Sequence, residues 1–284
     1  MLSYLRKKTH KMTSIPIYDS AKRKHPAIEE LLALFQYRDL IYQLVRRDIV
    51  ARYKRSILGV AWTMLNPLGT MLIMVIVFSH VFKTAENYVA YVLSGVICWT
   101  MFSQSTTMAM SSMVWGSQLF KQIHVPRTVF VVSTIIANMV NFIFSLVPLF
   151  IVFAITGVSL KPSVLLLPIA MLFLFSFCLG VALLLSTLAV FFPDVVDLFP
   201  VVLTAWMYLT PIIMPLDFYR QILNGLLLYI NPFYYVVNLF RILVLDGFVP
   251  HLQTWVATAV SCFGILIIGW IFFCIKADKF AYHV

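Results

Sequence analysis

Apolar residues dominate six stretches of this chain: 57–82, 88–114, 128–156, 164–192, 198–211 and 252–275. A span needs roughly 20 apolar residues to cross a hydrocarbon core about 30 Å thick. The pattern therefore predicts an all-α integral membrane protein with six transmembrane helices, the first interrupted by Asn66-Pro67 and Gly69. Upstream, Leu34, Tyr37, Ile41, Leu44, Val45, Ile49 and Tyr53 recur every three or four residues, with Gln36, Asp39, Gln43, Arg46, Arg47 and Lys54 mainly off that stripe. This predicts an amphipathic helix lying in the membrane interface over 27–56. Its phase slips at Leu40 and Val50, which places a break near Arg38–Leu40. Between the fifth and sixth spans, 212–250 is apolar but repeatedly broken, by Pro215, Asp217, Arg220, Asn224, Asn231-Pro232, Asn238, Arg241 and Asp246. Short helices that re-enter or lie at the interface fit such a segment. The organisation is then a tail over 1–26, the interfacial helix over 27–56 and the membrane domain over 57–284.

Composition agrees with a membrane protein: 62% hydrophobic, 11% charged and a mean hydropathy of +0.94. Soluble domains run nearer half apolar and a quarter charged. The net charge of +10 is concentrated, because 13 of the 21 Lys and Arg residues precede Ser56. That distribution points to topology and not to nucleic acid. With both termini inside, the inner segments also hold Lys121, Arg127, Lys276 and Lys279, against Lys83, Lys161, Arg220 and Arg241 outside. The bias orients both termini to the cytoplasm. The first 26 residues lack the apolar core of a signal peptide. Cys98, Cys178, Cys262 and Cys274 lie in apolar segments without a CxxC pair, and read as packing residues.

The chemistry is mostly subtractive. The sequence contains no GxxxxGK[ST], HExxH or GxSxG, so neither a P-loop nor a familiar hydrolytic motif is present. The spans hold almost no ionisable residues, whereas proton- or sodium-coupled carriers keep such groups near the midplane. Energy for uphill transport would come from another subunit. Two segments could receive it: the basic helix ending at Arg55 and the amphipathic piece Ser117–His124, which composition alone leaves equally readable as a loop. Trp62, Asn66, Trp99, Phe102, Gln104, Thr106, Trp206 and Tyr208 decorate spans 1, 2 and 5. Aromatics of this kind anchor helix ends and polar residues join helices, but a sugar channel would use the same types.

The residues also carry a resemblance. Tyr37-Arg38-Asp39-Leu40, Leu44-Val45-Arg46-Arg47-Asp48, Arg52-Tyr53-Lys54, Leu58-Gly59, Trp62 and Asn66-Pro67, in that order, resemble the opening of permease subunits from polysaccharide-export ABC transporters, which carry O-antigen, capsule or teichoic-acid chains. Leu119-Phe120-Lys121, Val125-Pro126-Arg127, Phe192-Pro193-Asp194-Val195, Tyr208-Leu209-Thr210-Pro211-Ile212-Ile213, Asn231-Pro232-Phe233 and Phe240-Arg241 continue it. The likeness runs from about Glu30 to the end and departs at Pro193-Asp194, where many relatives carry Arg-Asp.

The resemblance implies a homodimer in the cytoplasmic (inner) membrane, paired with two ATP-binding subunits that hold ATP and Mg, so that this chain itself needs no cofactor or metal. The ATPase contacts would be Arg38, Asp39, Arg46, Arg47, Asp48 and Arg52 together with Ser117, Gln118, Lys121 and His124 of a coupling helix at 117–124. Arg46, Arg47, Arg52, Lys54 and Arg55 would attract the diphosphate of an undecaprenyl-linked glycopolymer. The eight decorating residues would line the channel. Helices over 212–246 would form an extracytoplasmic gate with Asp217, Arg220, Asn231, Pro232, Phe233 and Arg241. The alternatives are a related exporter of drugs or small lipids, or a membrane glycosyl- or acyltransferase, for which Asp194 and Asp197 are the only nearby acid pair.

Overall fold

The computed structural model describes residues 26–54, 59–80, 87–115, 125–221, 225–277 and 280. The tail before Pro26, Arg55 and all of Ser117–His124 lie outside the described residues. Among the described residues every element is helical.

Helix α1 (Pro26–Gln36) opens on a proline, whose missing N–H costs nothing in a first turn, and carries Glu29 in that turn. It passes into α2 (Arg38–Tyr53) through Tyr37, whose backbone leaves helical geometry at φ −94° and ψ 20°. Hydrogen bonds still bridge the step, Tyr37 N–H to Ala33 O at 2.8 Å and Ile41 N–H to Tyr37 O at 3.0 Å. The break is a kink, one residue ahead of where the periodicity placed it. Trp270 Nε1 donates to Ala27 O and Thr128 Oγ1 donates to Glu30, which fasten α1 to two later helices. Helix α2 lies against the start of the third long apolar helix and buries Leu44.

After Gly59, which turns the chain at φ +50°, come α3 (Ala61–Phe78) and α4 (Tyr88–Trp115). Next are α5 (Thr128–Thr156), stopped by Gly157 in the left-handed region, and α6 (Leu167–Phe191), which follows a short 3-10 turn at Pro162–Leu166. Then follow α7 (Val195–Leu209), the short α8 (Leu216–Gln221), α9 (Leu226–Ile230) and α10 (Pro232–Arg241), and finally α11 (Leu252–Ala277).

Among the described residues, four stretches are long and apolar enough to cross a membrane: α3, α5, α6 with its leading turn, and α11. Helix α4 has the length, with 28 residues, but its polar run lowers its hydropathy. Helix α7 has 15 residues, about 22 Å at 1.5 Å per residue, short of the hydrocarbon core. Helices α4, α5, α6 and α11 form the packed centre, whereas α3 is peripheral, with 11% of its apolar window buried against 56% for α6. Part of the polar run in α4 is absorbed by its own backbone. Thr106 Oγ1 donates to Phe102 O at 2.7 Å and Ser105 Oγ donates to Met101 O, so both hydroxyls are satisfied while fully buried.

Candidate functional site

A cavity of about 450 Å³ opens where the end of α2 and the Gly59 turn meet α3, α4 and α5. Its floor is a polar stripe on α5. Asn138, Asn141 and Ser145 follow one another at steps of three and four, so they share a helix face. Asn138 Nδ2 donates to Thr134 O at 3.1 Å, Asn141 Nδ2 reaches Asn138 Oδ1 at 3.4 Å, and Ser145 Oγ donates to Asn141 O at 3.0 Å. Proline at 67 cannot donate to the carbonyl of Thr63, four residues earlier. The single Ser145 Oγ proton is shared between that carbonyl, at 3.1 Å, and Asn141 O, which ties α3 to α5.

Arg52 closes the cavity toward α2. Its Nη2 contacts Asn138 Oδ1 at 3.4 Å and Met108 Sδ at 3.1 Å, so one cation of the interfacial helix is drawn in among α4 and α5. A second cavity, about 420 Å³, shares Arg52 and Met108 in its wall and continues past Arg47, Asp48, Ser112, Phe130, Ser133 and Thr134. The two form one trough along the inner side of α2. Across it, Asn66 of α3 and Gln104 of α4 line the larger cavity with side-chain amides that make no hydrogen bond among the described residues. Trp62, 56% exposed, stands at its rim. Such a surface offers one fixed cation, open amide donors and acceptors, and an indole face.

The described members of the expected basic set differ in their contacts, and Arg55 lies outside the described residues. Arg47 forms a forked contact to Asp48, with the shorter bond 2.8 Å. Arg38 lies 3.9 Å from Asp39, both at the surface, and Arg46 and Lys54 are exposed. Among the described members of the set, Arg47 and Arg52 are the ones that reach the trough. Sequence reading missed Asn138, Asn141 and Ser145. Their signal was two amides and a hydroxyl at helical spacing within an otherwise apolar span.

The residues expected to line a channel fall into two groups. Trp62, Asn66 and Gln104 reach the cavity, and Tyr208 is exposed. The structure turns Trp99 and Phe102 inward instead. Phe102 is fully buried, its ring 4.8 Å from Phe233, 5.1 Å from Trp206, 5.4 Å from Trp99 and 5.5 Å from Phe177. Tilted and edge-on aromatic contacts of this kind make a closed core, and Thr106 is sealed within α4. Trp206 Nε1 donates to Asn231 Oδ1 at 2.9 Å, and Asn231 Nδ2 donates to Thr210 Oγ1 at 2.7 Å. Asn231 also caps α10 by accepting from Phe233 N–H, with Pro232 at the first helical position.

Of the other residues expected in a gate, Asp217 and Arg220 form an exposed pair at 3.3 Å on α8, while Arg241 is buried. Its guanidinium lies 3.6 Å from the Tyr91 ring centroid and donates to Ser94 Oγ and to the carbonyls of Tyr91, Pro211 and Ile212. Nearby, desolvation pushes the Asp246 carboxyl up, and the charges of Arg241 and Lys161 pull it back. Among the described residues no three of His, Cys, Asp or Glu gather as a metal would need.

A family profile described as "ABC-2 type transporter" matches residues 39–245. An O-antigen export system permease protein RfbA from Myxococcus xanthus is 30% identical over 229 residues, 80% of this chain and 88% of that protein. A protein of the same description from Klebsiella pneumoniae is 27% identical over 213 residues, 74% of this chain and 81% of its own length.

Proposed function

This chain belongs to the ABC-2 type transporter family, and from that premise we propose that it is the membrane subunit of an ATP-driven exporter of an undecaprenyl-diphosphate-linked polysaccharide. It is a permease, and its relatives are named for O-antigen export. The finer reading gives it six spans, with α4 and α7 completing the four strongly apolar ones, and both termini in the cytoplasm. Two copies pair with two ATP-binding subunits, which contact the exposed face of α2 and the segment 117–124. Helices α8 to α10 close the outer side.

The observation that carries the cargo assignment is Arg52, held at the junction of two cavities between the interfacial helix and an amide-lined pocket. A lipid diphosphate lies at the membrane interface, at the depth of an amphipathic helix such as α2. The planar fork of Arg52 suits two phosphate oxygens at once, with Arg47 beside it. Asn66 and Gln104 have hydrogen-bonding capacity left for the hydroxyls of the first sugars, and the Trp62 ring can cover an apolar sugar face. ATP hydrolysis in the partner would then move α2, and with it the trough.

The test is reconstitution with the cognate ATPase in vesicles. Lipid-linked glycan is expected to be exported and a small amphiphile not. Arg52→Ala should cut export at least tenfold, and Arg46, Arg47 and Arg52 changed together to Glu should stop it, with membrane insertion unchanged. Transport of the amphiphile alone would convert the assignment into a drug or small-lipid exporter. Full export by the triple variant would remove the basic helix from the mechanism.

A further inference from the structure

Helix α10 has a polar stripe that the transport reading leaves unused. Tyr234, Asn238, Arg241 and Leu245 follow at steps of four, three and four, so they share one face as the helix runs into its final turn. That face borders a cavity of about 210 Å³, whose other walls include Tyr91, Leu216 and Asp246. The volume is below the roughly 300–1,000 Å³ of sites for drug-sized ligands, and suits a single ring.

The chemistry of the walls narrows the ligand. Arg241 and Asp246 stand on the same cavity, so a cation meets the guanidinium and an anion meets the carboxylate. A neutral molecule avoids both penalties. Arg241 has five N–H donors, and its hydrogen bonds to Ser94, Pro211, Tyr91 and Ile212 occupy four. The Asn238 amide and the Tyr234 hydroxyl line the cavity and make no hydrogen bond among the described residues. The cavity thus carries both donors and acceptors, and its remaining walls are Pro211, Leu216, Leu245 and aromatic carbon. A pyranose presents the complement, hydroxyls around its edge and C–H groups on its faces.

We propose that the cavity between α10 and the start of α4 is a carbohydrate subsite that holds one sugar unit of the polymer as it leaves the membrane. The assignment rests on the transport reading above, which places α10 on the outer side. The subsite sits within each protomer, apart from the trough at α2. It would act as a resting point, binding one residue of the chain between successive strokes and opposing its return.

The experiment uses the complete permease–ATPase complex in nanodiscs. The probe is the set of free oligosaccharides, one to three repeats long, released by mild acid from the producing cell's own surface polysaccharide. Wild type should bind them saturably, detected by saturation-transfer NMR. Asn238→Leu, close in size, and Tyr234→Phe should each weaken binding about tenfold or more while ATPase activity and thermal stability stay unchanged. Equal binding by wild type and both variants overturns the subsite, as does absence of binding in a complex that exports lipid-linked glycan. Failure of that same wild-type complex to export any lipid-linked glycan overturns the transport reading instead, and with it the sugar assignment.

Discussion

Arg241 shows how one side chain can define a local structure. It joins the N-terminal end of α4 to the turn after α7 through three backbone carbonyls and the Ser94 hydroxyl, with Tyr91 under its charge. Each buried carbonyl left without a donor costs about 1–3 kcal/mol. Pro211 O keeps the Tyr91 hydroxyl and Tyr91 O keeps Ser94 Oγ as donors, which leaves Ile212 O to lose its partner. Arg241→Ala is therefore expected to destabilise the protein by about 1–3 kcal/mol, read as thermal unfolding in detergent. Arg241→Lys should recover only part, because an ammonium cannot span the fork. Gly95 is the partner position: a Cβ there would stand 2.5 Å from Arg241 Nη2 and 3.2 Å from the Ile212 backbone. Gly95→Ala should destabilise the wild type clearly and the Arg241→Ala background much less. Additive losses would show that the glycine is not making room for the guanidinium.

At the scale of elements, the closest approach is that of α6 to α11. A Cβ at Gly269 would overlap the Gly180 carbonyl oxygen, and one at Gly180 would meet backbone atoms of Ile265 and Leu266 at 2.7 Å. Backbone cannot swing aside as a side chain can, so the helices must separate, losing the dispersion contacts that hold spans together where lipid competes for apolar surface. Gly180→Ala and Gly269→Ala should each lower the melting temperature, with Gly264→Ala, where nothing lies within 4 Å, as the silent control. A shift at Gly264 equal to the others would break the argument.

The long helices were legible because length and continuous hydropathy report directly on burial in lipid. Facing was not. Phe102 and Trp62 are both aromatics of apolar spans, yet one is sealed among four rings and the other stands on a cavity rim. Thr106 was expected on a channel wall, although a hydroxyl can satisfy itself on its own helix. Among the arginines of α2, only tertiary contact with Asn138 distinguishes Arg52. Part of the site was readable on α3 and α4; the α5 stripe was there as spacing, but its role shows only when Pro67 is seen to free the carbonyl that Ser145 fills.

For the whole molecule, the outward faces of α3 and α7 need a cover. Leu72, Ile73, Ile76 and Val77 on α3, and Leu198, Val201 and Val202 on α7, are exposed and would be content in lipid. The same two helices, both leaning on α4, also turn Asn66, Thr204 and Tyr208 outward. Polar groups facing hydrocarbon are costly, so the second copy proposed above, with a wet path between the copies, would be the better environment. All four native cysteines are buried, which leaves a quiet background for single-site labelling. Val201→Cys and Ile73→Cys should give a cross-linked dimer with a short bis-maleimide in native membranes. Ile268→Cys, exposed on α11, should remain monomeric. Cross-linking through Ile268 without Val201 or Ile73 would move the dimer contact to α11 and leave the polar faces of α3 and α7 to a different partner.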